Sequence, residues 1–315
     1  MRAIRVHAFG DPEVLQIEEV ATPVPGPGEV LVRLRAAGVN PVETYVRSGS
    51  YARLPELPYT PGGDGAGDVE AVGEGVRDVR PGDRVYVTEG ATYAEYCTCD
   101  ASKVYPLAER ISYAQGAALG VPYATALYAL RRIQARAGDW LFVRGGSGAV
   151  GVAAVQLARA RGLRSVATAG TPQGLAMLRE IGADAAVAHD DAEAARALTG
   201  GRGFDVILDM AAHHGLGQDL ELLAPGGRIA VIGARGPVEV QPRMLMATGA
   251  SVHGILVFLA PAEELRRVHL ELVAGLRDGT LSPVIGKSFP LADAKAAHRA
   301  VMQSGAHGKV ILAID

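Results

Sequence analysis

The sequence predicts a doubly wound, parallel α/β sheet together with a mostly β domain. Between residues 121 and 256, short apolar strands alternate with helices, beginning with a strand at Trp140–Val143 and a helix from Gly148 to Arg161. This alternation is typical of a parallel sheet with helices on both faces. The first 120 residues instead contain short strands such as Val30–Arg35, separated by Gly/Pro turns. That pattern indicates an antiparallel barrel or sandwich.

The later elements continue the alternation. A second strand and helix are predicted at Arg164–Thr168 and Pro172–Ile181. Further strands of the parallel sheet are predicted at residues 185–188, 204–209, 228–232 and 252–257. The rest of the chain predicts a helix at 261–278, a strand near Val284, a helix at 293–303 and a last strand at 309–313. A chain of 315 residues suits two domains of ordinary size.

Composition and charge exclude several classes of protein. The chain is 49% hydrophobic and 21% charged, and its formal net charge is −3, so no general attraction to nucleic acid or to anionic membranes is expected. No apolar run is long enough for a membrane helix, and the N-terminus does not read as a signal peptide. We therefore expect a cytoplasmic protein without a membrane partner. Cys97 and Cys99 should be two reduced thiols on one strand.

The strongest local motif is a glycine-rich turn at residues 145–151, which contains G-x-G-x-x-G at Gly146, Gly148 and Gly151. After a strand and before a helix, the first glycine permits a tight turn and the second lets the backbone approach a pyrophosphate. The third lets the helix lie close to the strand, and the phosphates would bind at the helix N-terminus. The strand, the spacing and the helix start all favour this interpretation over a turn without a ligand.

The end of the second central strand bears on the choice between NAD and NADP. Enzymes that use NAD usually carry Asp or Glu about 20 residues past the glycines, where it binds the ribose hydroxyls. Residues 166–171 contain no acid. We therefore predict NADPH as the cofactor, with NADH less favoured. Arg164 or His189 could supply positive charge, and each alone could equally be a solvated surface residue.

The histidines and cysteines show no metal-binding pattern. Neither H-E-x-x-H nor a paired C-x-x-C occurs, so we predict no metal. The remaining polar candidates lie at residues 40–45. Asn40 can cap a short helix that has Pro41 at its first position and Glu43 at its third, and capping preferences favour this structural role. Tyr45 would project from the same helix, either toward a ligand or into the packing.

These residues belong to a longer pattern along the chain. The segment at 38–45 is followed by motifs at 47–49, 57–62, 116–118 and 122–123, then by the glycine turn and by motifs at 233–236, 283–286 and 308–309. In this order the motifs resemble those of the zeta-crystallin-type quinone oxidoreductases, a zinc-free branch of the medium-chain dehydrogenase/reductase superfamily. The resemblance covers essentially the whole chain.

The resemblance implies a Rossmann domain at 121–256, inserted into a GroES-like barrel domain formed by 1–120 and 257–315. The cofactor would lie in the cleft between these domains, and the protein would be a homodimer. Zinc alcohol dehydrogenases of the same superfamily carry their catalytic metal ligands at places that match Asn40, Gly63-Asp64 and Val121 here. All three ligand positions are lost in this chain, and so is the four-cysteine structural lobe.

The resemblance also assigns cofactor-binding residues. Those at the pyrophosphate would be Gly146, Ser147, Gly148, Ala149, Val150 and Gly151. Those at the nicotinamide would be Tyr45, Ile232, Gly233, Ala234, Arg235, Ile255, Leu256 and Val257. Gly170 would border the adenosine ribose, and His189 would contact the 2′-phosphate. At Gly215 the zeta-crystallin branch has Asn, so a side-chain contact with the cofactor is lost here.

Together these assignments predict that NADPH reduces a small-molecule quinone. Tyr45 and Asn40 would orient the quinone ring and hydrogen-bond the developing oxyanion. One alternative is NADPH-dependent reduction of α,β-unsaturated carbonyls, which would use the same cofactor and cleft. Another is a non-catalytic role, as an RNA-binding or structural protein of the zeta-crystallin kind. The chain has no RNA-binding module and no marked basic run, so nucleic acid is not the expected partner. Transfer of one or of two electrons stays open.

Overall fold

Two compact units form the computed structural model, which describes residues 1–315. The β unit comprises Met1–Val121 with His269–Asp315, and the α/β unit comprises Pro122–Val268. The first division lies after residue 121, and the sequence places it after residue 120. The second lies twelve residues beyond residue 256, within a helix at Ala262–Asp278 that runs from one unit into the other.

The strands are β1 (Arg2–Arg5), β2 (Gln16–Glu19), β3 (Glu29–Val39), β4 (Asp64–Val72), β5 (Arg84–Thr88), β6 (Tyr96–Asp100), β7 (Val104–Pro106), β8 (Trp140–Arg144), β9 (Arg164–Ala169), β10 (Ala185–Ala188), β11 (Phe204–Asp209), β12 (Leu223–Val231), β13 (Ser251–Gly254), β14 (Ile285–Pro290) and β15 (Lys309–Ala313). The α-helices are α1 (Pro41–Ser48), α2 (Tyr113–Gly116), α3 (Gly120–Arg132), α4 (Ala149–Ala160), α5 (Pro172–Glu180), α6 (Ala192–Ala197), α7 (Ala212–Leu222), α8 (Pro242–Thr248), α9 (Ala262–Asp278) and α10 (Ala294–Met302).

The α/β unit contains one six-stranded sheet in the order β10-β9-β8-β11-β12-β13, and every neighbouring pair is parallel. The strand order reverses between β8 and β11, which makes this the predicted doubly wound sheet. Phe142, Val166 and Ile207 lie in the core on one side of the sheet and are at most 1% exposed. All strands end at one edge, where a doubly wound sheet binds its ligand.

The β unit contains a seven-stranded sheet, in which β14-β15-β3-β4-β5-β7 are neighbours and β6 also pairs with β3. The eleven-residue strand β3 is the centre of this sheet, since β4, β6 and β15 all pair with it in antiparallel orientation. Because β15 is the last strand of the chain, the C-terminal segment is part of the N-terminal sheet. The resemblance predicted this return of the tail.

Cys97 and Cys99 lie on β6, both are buried, and both are free thiols, as the sequence predicts. None of the helices has both the length and the apolar character needed to cross a bilayer.

Two histidines are buried in the β unit beside tyrosine hydroxyls. Nδ1 of His269 lies 3.1 Å from the hydroxyl of Tyr86, and Nε2 of His298 lies 3.1 Å from the hydroxyl of Tyr93. Burial lowers the pKa of His269 to about 4 and that of His298 to about 3, in the latter case with a contribution from the nearby Arg47. Both imidazoles are therefore neutral in the folded protein at pH 7.

The lowered pKa values predict a loss of stability in mild acid. Between pH 6.5 and 4 the unfolded chain binds protons at these histidines while the folded chain does not, so the free energy of unfolding falls as the pH falls through this range. Each histidine contributes a slope of up to about 1.4 kcal/mol per pH unit. In urea titrations at pH 7 and pH 5, the His269→Gln/His298→Gln double variant should lose less stability than the wild type. Equal losses would contradict this assignment.

Candidate active site

The glycine turn between β8 and α4 forms the first part of the site. Gly145 has a φ of 78°, in the left-handed region, and Gly148 is the N-cap of α4. A Cβ atom on Gly151 would lie 2.4 Å from the carbonyl oxygen of Gly146, so only glycine lets α4 begin this close to the turn. The amides in the first turn of a helix have no partner within the helix. The turn therefore fits an anionic pyrophosphate, as its sequence predicts.

The ends of β9 and β10 meet the same turn. The Thr168 hydroxyl accepts a hydrogen bond from the Gly145 amide at 3.1 Å and lies 2.8 Å from Nδ1 of His189. The Thr168 carbonyl accepts a hydrogen bond from the Gly146 amide at 2.8 Å. Because Nδ1 of His189 is engaged, Nε2 is the nitrogen left for a ligand. A Cβ atom on Gly170 would lie 3.3 Å from this Nε2, so glycine leaves space beside it.

His189 directly follows β10, and its side chain is partly exposed. Burial lowers the pKa of its imidazole, and the nearby Arg144 guanidinium lowers it further, against the opposing effect of Asp190. The imidazole is therefore neutral near pH 7, and Nε2 can act as a hydrogen-bond donor to phosphate without carrying a full charge.

The residues predicted at the nicotinamide follow β12 and β13. The amides of Ile232 and Gly233 both donate to the carbonyl of Asp209, at 2.9 Å and 3.3 Å. The amide of Ile255 donates to the carbonyl of Val231 at 2.9 Å. Leu256 is 43% exposed and Val257 is buried. The predicted cofactor residues of the α/β unit thus all follow the carboxyl ends of strands in one parallel sheet, namely β8, β9, β10, β12 and β13.

A buried ion pair lies beneath this edge. Arg144, the last residue of β8, donates from Nε to the Oδ1 of Asp219 at 2.8 Å, and both side chains are buried. Burial raises the pKa of Asp219, and the neighbouring Asp209 carboxyl raises it as well. The Oδ2 atoms of Asp209 and Asp219 lack a hydrogen-bond partner. One proton shared between these carboxyls would satisfy both oxygens.

In the β unit, the predicted residue Asn40 lies at the N-terminus of α1. Its backbone amide donates to Oε2 of Glu43 at 2.9 Å, and its carbonyl accepts from the Glu43 amide at 3.1 Å, so Asn40 is the N-cap of α1, as predicted. Its side-chain nitrogen donates to Asp64 at 2.9 Å and to Glu43 at 3.2 Å, which uses both amide hydrogens. Direct donation from Asn40 to a substrate oxygen stays a prediction, and it would require one of these hydrogen bonds to break.

Glu43 and Asp64 are the acceptors of a buried network at this helix end. Glu43 accepts from the Tyr93 hydroxyl at 2.6 Å and from the Gly63 amide at 3.0 Å. Asp64 accepts from the Val121 amide at 2.9 Å and from the ammonium of Lys309 at 2.9 Å. Burial raises the pKa of the Glu43 carboxyl, while Lys309 and the Tyr93 hydrogen bond oppose that rise. Both carboxyls are therefore surrounded by hydrogen-bond donors.

Tyr45 lies one turn further along α1 and is half-buried. Its carbonyl accepts hydrogen bonds from the amide of Ser50 and from the hydroxyl of Ser48, and these bonds close the helix. Its side chain is not part of the Asn40 network. The network thus fixes the start of the helix that carries Tyr45, and the Tyr45 ring makes no hydrogen bond within that network.

Comparison with known proteins agrees with this architecture. A model described as "Alcohol dehydrogenase GroES-like domain" matches residues 26–125, and one described as "Zinc-binding dehydrogenase" matches residues 149–274. The rat quinone oxidoreductase is 45% identical over 99% of this chain and 97% of its own length. The solved structure of a quinone oxidoreductase from Thermus thermophilus, described with its NADPH complex, has a TM-score of 0.87 at 32% identity, with full coverage of both chains. A structure described as an NAD-dependent alcohol dehydrogenase has a TM-score of 0.93 at 30% identity, also with full coverage.

The chain belongs to the quinone oxidoreductase family. This family lies within the medium-chain dehydrogenase/reductase superfamily, as the resemblance predicted, and both predicted domain types are present.

The family-model description implies a zinc ion, but the residues of this quinone oxidoreductase homologue do not fit one. No group of three or more His, Cys, Asp or Glu side chains is arranged to hold a metal. At the positions that match the zinc ligands, the side chains of Asn40 and Asp64 are instead hydrogen-bonded to the ammonium of Lys309. A cation already occupies this place, and it would repel a metal ion.

Sequence reasoning missed four residues of the site: Lys309, Arg144, Asp219 and Thr168. Lys309 belongs to the motif at 308–309 that contributes to the resemblance, but no role was assigned to it. Gly215 also has a role that the resemblance did not give. A Cβ atom there would lie 2.2 Å from Nε of Arg144, so the guanidinium lies where a side chain at residue 215 would begin.

The contact at Gly215 therefore predicts that alanine substitutions at the two glycines of α7 change the free energy of unfolding very differently. Gly215→Ala should displace Arg144 and leave Asp219 buried without its partner, at a cost of about 3 kcal/mol or more in the free energy of unfolding. Gly217→Ala is the matched control, because a Cβ atom there meets nothing closer than 3.4 Å, and alanine is the better helix former. Urea denaturation of both variants measures the difference. A Gly215→Ala variant as stable as Gly217→Ala would show that Arg144 can move away at no cost.

Proposed function

We propose that this protein is an NADPH-dependent quinone reductase that works without a metal ion. The observation that carries the proposal is the dinucleotide cradle of the α/β unit, in which His189 lies beside Thr168, the residue that binds the glycine turn, and no acid lies at the end of β9. The relatives named quinone oxidoreductase support the acceptor. The ammonium of Lys309 beside Asn40 and Asp64 supports the absence of zinc. The homodimer and the cytoplasmic location stay predictions from the resemblance and the composition.

NADPH fits the cradle better than NADH for electrostatic reasons. The end of β9 carries no carboxylate that would repel a 2′-phosphate. Nε2 of His189 is available as a donor beside Gly170. Thr171 caps α5 by accepting from the Gly174 amide at 3.0 Å, so a positive helix end lies just after Gly170. We propose that the glycine turn holds the pyrophosphate and that His189 holds the 2′-phosphate.

Replacement of His189 tests the cofactor assignment. His189→Ala should weaken NADPH binding about tenfold, since a hydrogen bond to a charged group contributes roughly 1.5 kcal/mol or more. NADH has no 2′-phosphate, so its affinity should change less than about twofold. Fluorescence titration of each nucleotide measures both constants, and His214→Ala, at an exposed histidine of the same unit, is the matched control. Equal losses for the two nucleotides would remove His189 from the phosphate site.

Bound NADPH supplies the hydride. A quinone is already electrophilic, so the protein has to orient the ring, exclude water and stabilise the oxygen that becomes negative. We propose that the hydroxyl of Tyr45 orients the quinone and donates to that oxygen. Asn40 contributes by holding the start of α1, because its amide hydrogens are bound to Asp64 and Glu43.

Tyr45→Phe removes the hydroxyl and keeps the ring. It should lower kcat/KM for a quinone about a hundredfold to a thousandfold, the usual range for losing one donor to a developing oxyanion. NADPH affinity should not change. Tyr51→Phe is a suitable control, because Tyr51 lies three residues beyond α1 and is also half-buried. Wild-type turnover of a quinone panel by Tyr45→Phe would remove this role.

The function itself is tested by NADPH oxidation with matched panels of quinones and α,β-unsaturated ketones, before and after dialysis against EDTA. We expect quinones to be the faster substrates and the rates to survive dialysis. Faster turnover of the enones would replace the proposed substrate class. Loss of activity after dialysis, with recovery on adding zinc, would contradict metal-free catalysis.

A further inference from the structure

Lys309 is a lysine buried almost completely inside the β unit. It is 2% exposed, although lysine is among the residues least often buried. Its ammonium donates to Oδ1 of Asn40 and to Oδ2 of Asp64, and Asn40 itself donates to the same Asp64 oxygen at 2.9 Å. The three side chains therefore form a closed triangle of hydrogen bonds. Lysine in such a place needs a specific partner for its charge, and Asp64 supplies it.

The fold is built around the stem of this lysine. Gly38 lies on β3, which pairs with β15, and a Cβ atom there would lie 2.7 Å from Cε of Lys309. Asp64, the first residue of β4, is held from its other side, because its Oδ1 accepts from the Val121 amide and its carbonyl from the Thr92 hydroxyl. The ammonium is thus fixed at a position where β3, β4, β15 and the start of α1 meet.

The charges around this position require a cation. Glu43 and Asp64 are two buried carboxyls, and both accept hydrogen bonds from the Asn40 side chain. Lys309 is the cation whose charge acts on Glu43, and it forms the ion pair with Asp64. The positions that match the zinc ligands of related dehydrogenases thus surround an ammonium carried by the chain itself.

We propose that Lys309 is a built-in cation that takes the place of a metal ion and acts as a positioning residue for quinone reduction. Through its bond to Oδ1 of Asn40 it fixes the amide, and the amide fixes the start of the helix that carries Tyr45. This inference rests on the proposed quinone reductase function and adds to it a residue that touches neither substrate nor cofactor.

The test compares three variants of the full chain by thermal unfolding, NADPH titration and quinone kinetics. Lys309→Met leaves the carboxyls without a cation, so the Tm should fall. Its kcat/KM for quinone should fall about tenfold to a hundredfold, as expected when a reacting group is misplaced by about an ångström. NADPH affinity should change little, because the residues proposed to hold the pyrophosphate and the 2′-phosphate lie in the α/β unit. Lys287→Met, on the neighbouring strand β14, should match the wild type in all three measurements.

The decisive variant is Lys309→Met/Asp64→Asn, which removes the unpaired carboxylate together with its cation. It should recover much of the lost Tm, because Glu43 is then the only carboxylate of the network and keeps its donors Tyr93 and Gly63. It also covers the case in which Lys309→Met fails to fold. Its quinone kcat/KM should stay low, because Asn40 still lacks the hydrogen bond that Lys309 donates to its Oδ1. Recovery of turnover together with Tm would show that Lys309 only balances charge, and would overturn the proposal.

The wild-type protein is assayed first, so that two failures can be told apart. A wild type that binds NADPH and reduces no quinone would overturn the proposed function, and this inference would fall with it. Wild-type turnover accompanied by equal turnover in Lys309→Met would overturn the inference alone.

Discussion

Pairing of buried charge is the constraint on which the β unit depends most. Lys309, Asp64 and Glu43 are all buried, and hydrogen bonds and an ion pair join them in one network. The network joins residues from β3, α1, β4 and β15, so the last strand of the chain is tied to the first helix. The same bonds set the position from which Tyr45 projects. Stability and site geometry in this unit therefore have one origin.

In the α/β unit, too, buried charges are paired, beneath the edge of the sheet at which the strands end. Arg144 ends β8 just before the glycine turn, and Asp219 pairs with it from α7. The carbonyl of Arg144 also accepts from the Met210 amide at 3.4 Å, in the segment that follows β11. Arg144 thus connects the glycine turn with the segment after β11 through its backbone and with α7 through its side chain. Gly215 makes that connection possible because it leaves room for the guanidinium.

Local patterns in the sequence predicted the parallel sheet, the glycine turn and the cap of α1, because each depends on neighbouring residues. The bounds of β10, β11 and β15 agree with prediction. β12 begins at Leu223, before the predicted start at Arg228, since Pro225-Gly226-Gly227 reads as a turn and the pairing with β11 shifts register there. The Lys309 network was not predictable, because Asp64 and Asn40 precede Lys309 by 245 and 269 residues. Contacts of that separation leave no periodic signal in one sequence.

The measurement that tests the account most directly is a fluorescence titration of the wild-type protein with NADPH and with NADH, followed through Trp140 of β8 or through the reduced nicotinamide. The account predicts saturable binding of NADPH at a lower concentration than NADH, because His189 supplies a donor and the end of β9 carries no acid. Preference for NADH would contradict the phosphate site at His189. Failure to bind either nucleotide would contradict the reductase function as a whole.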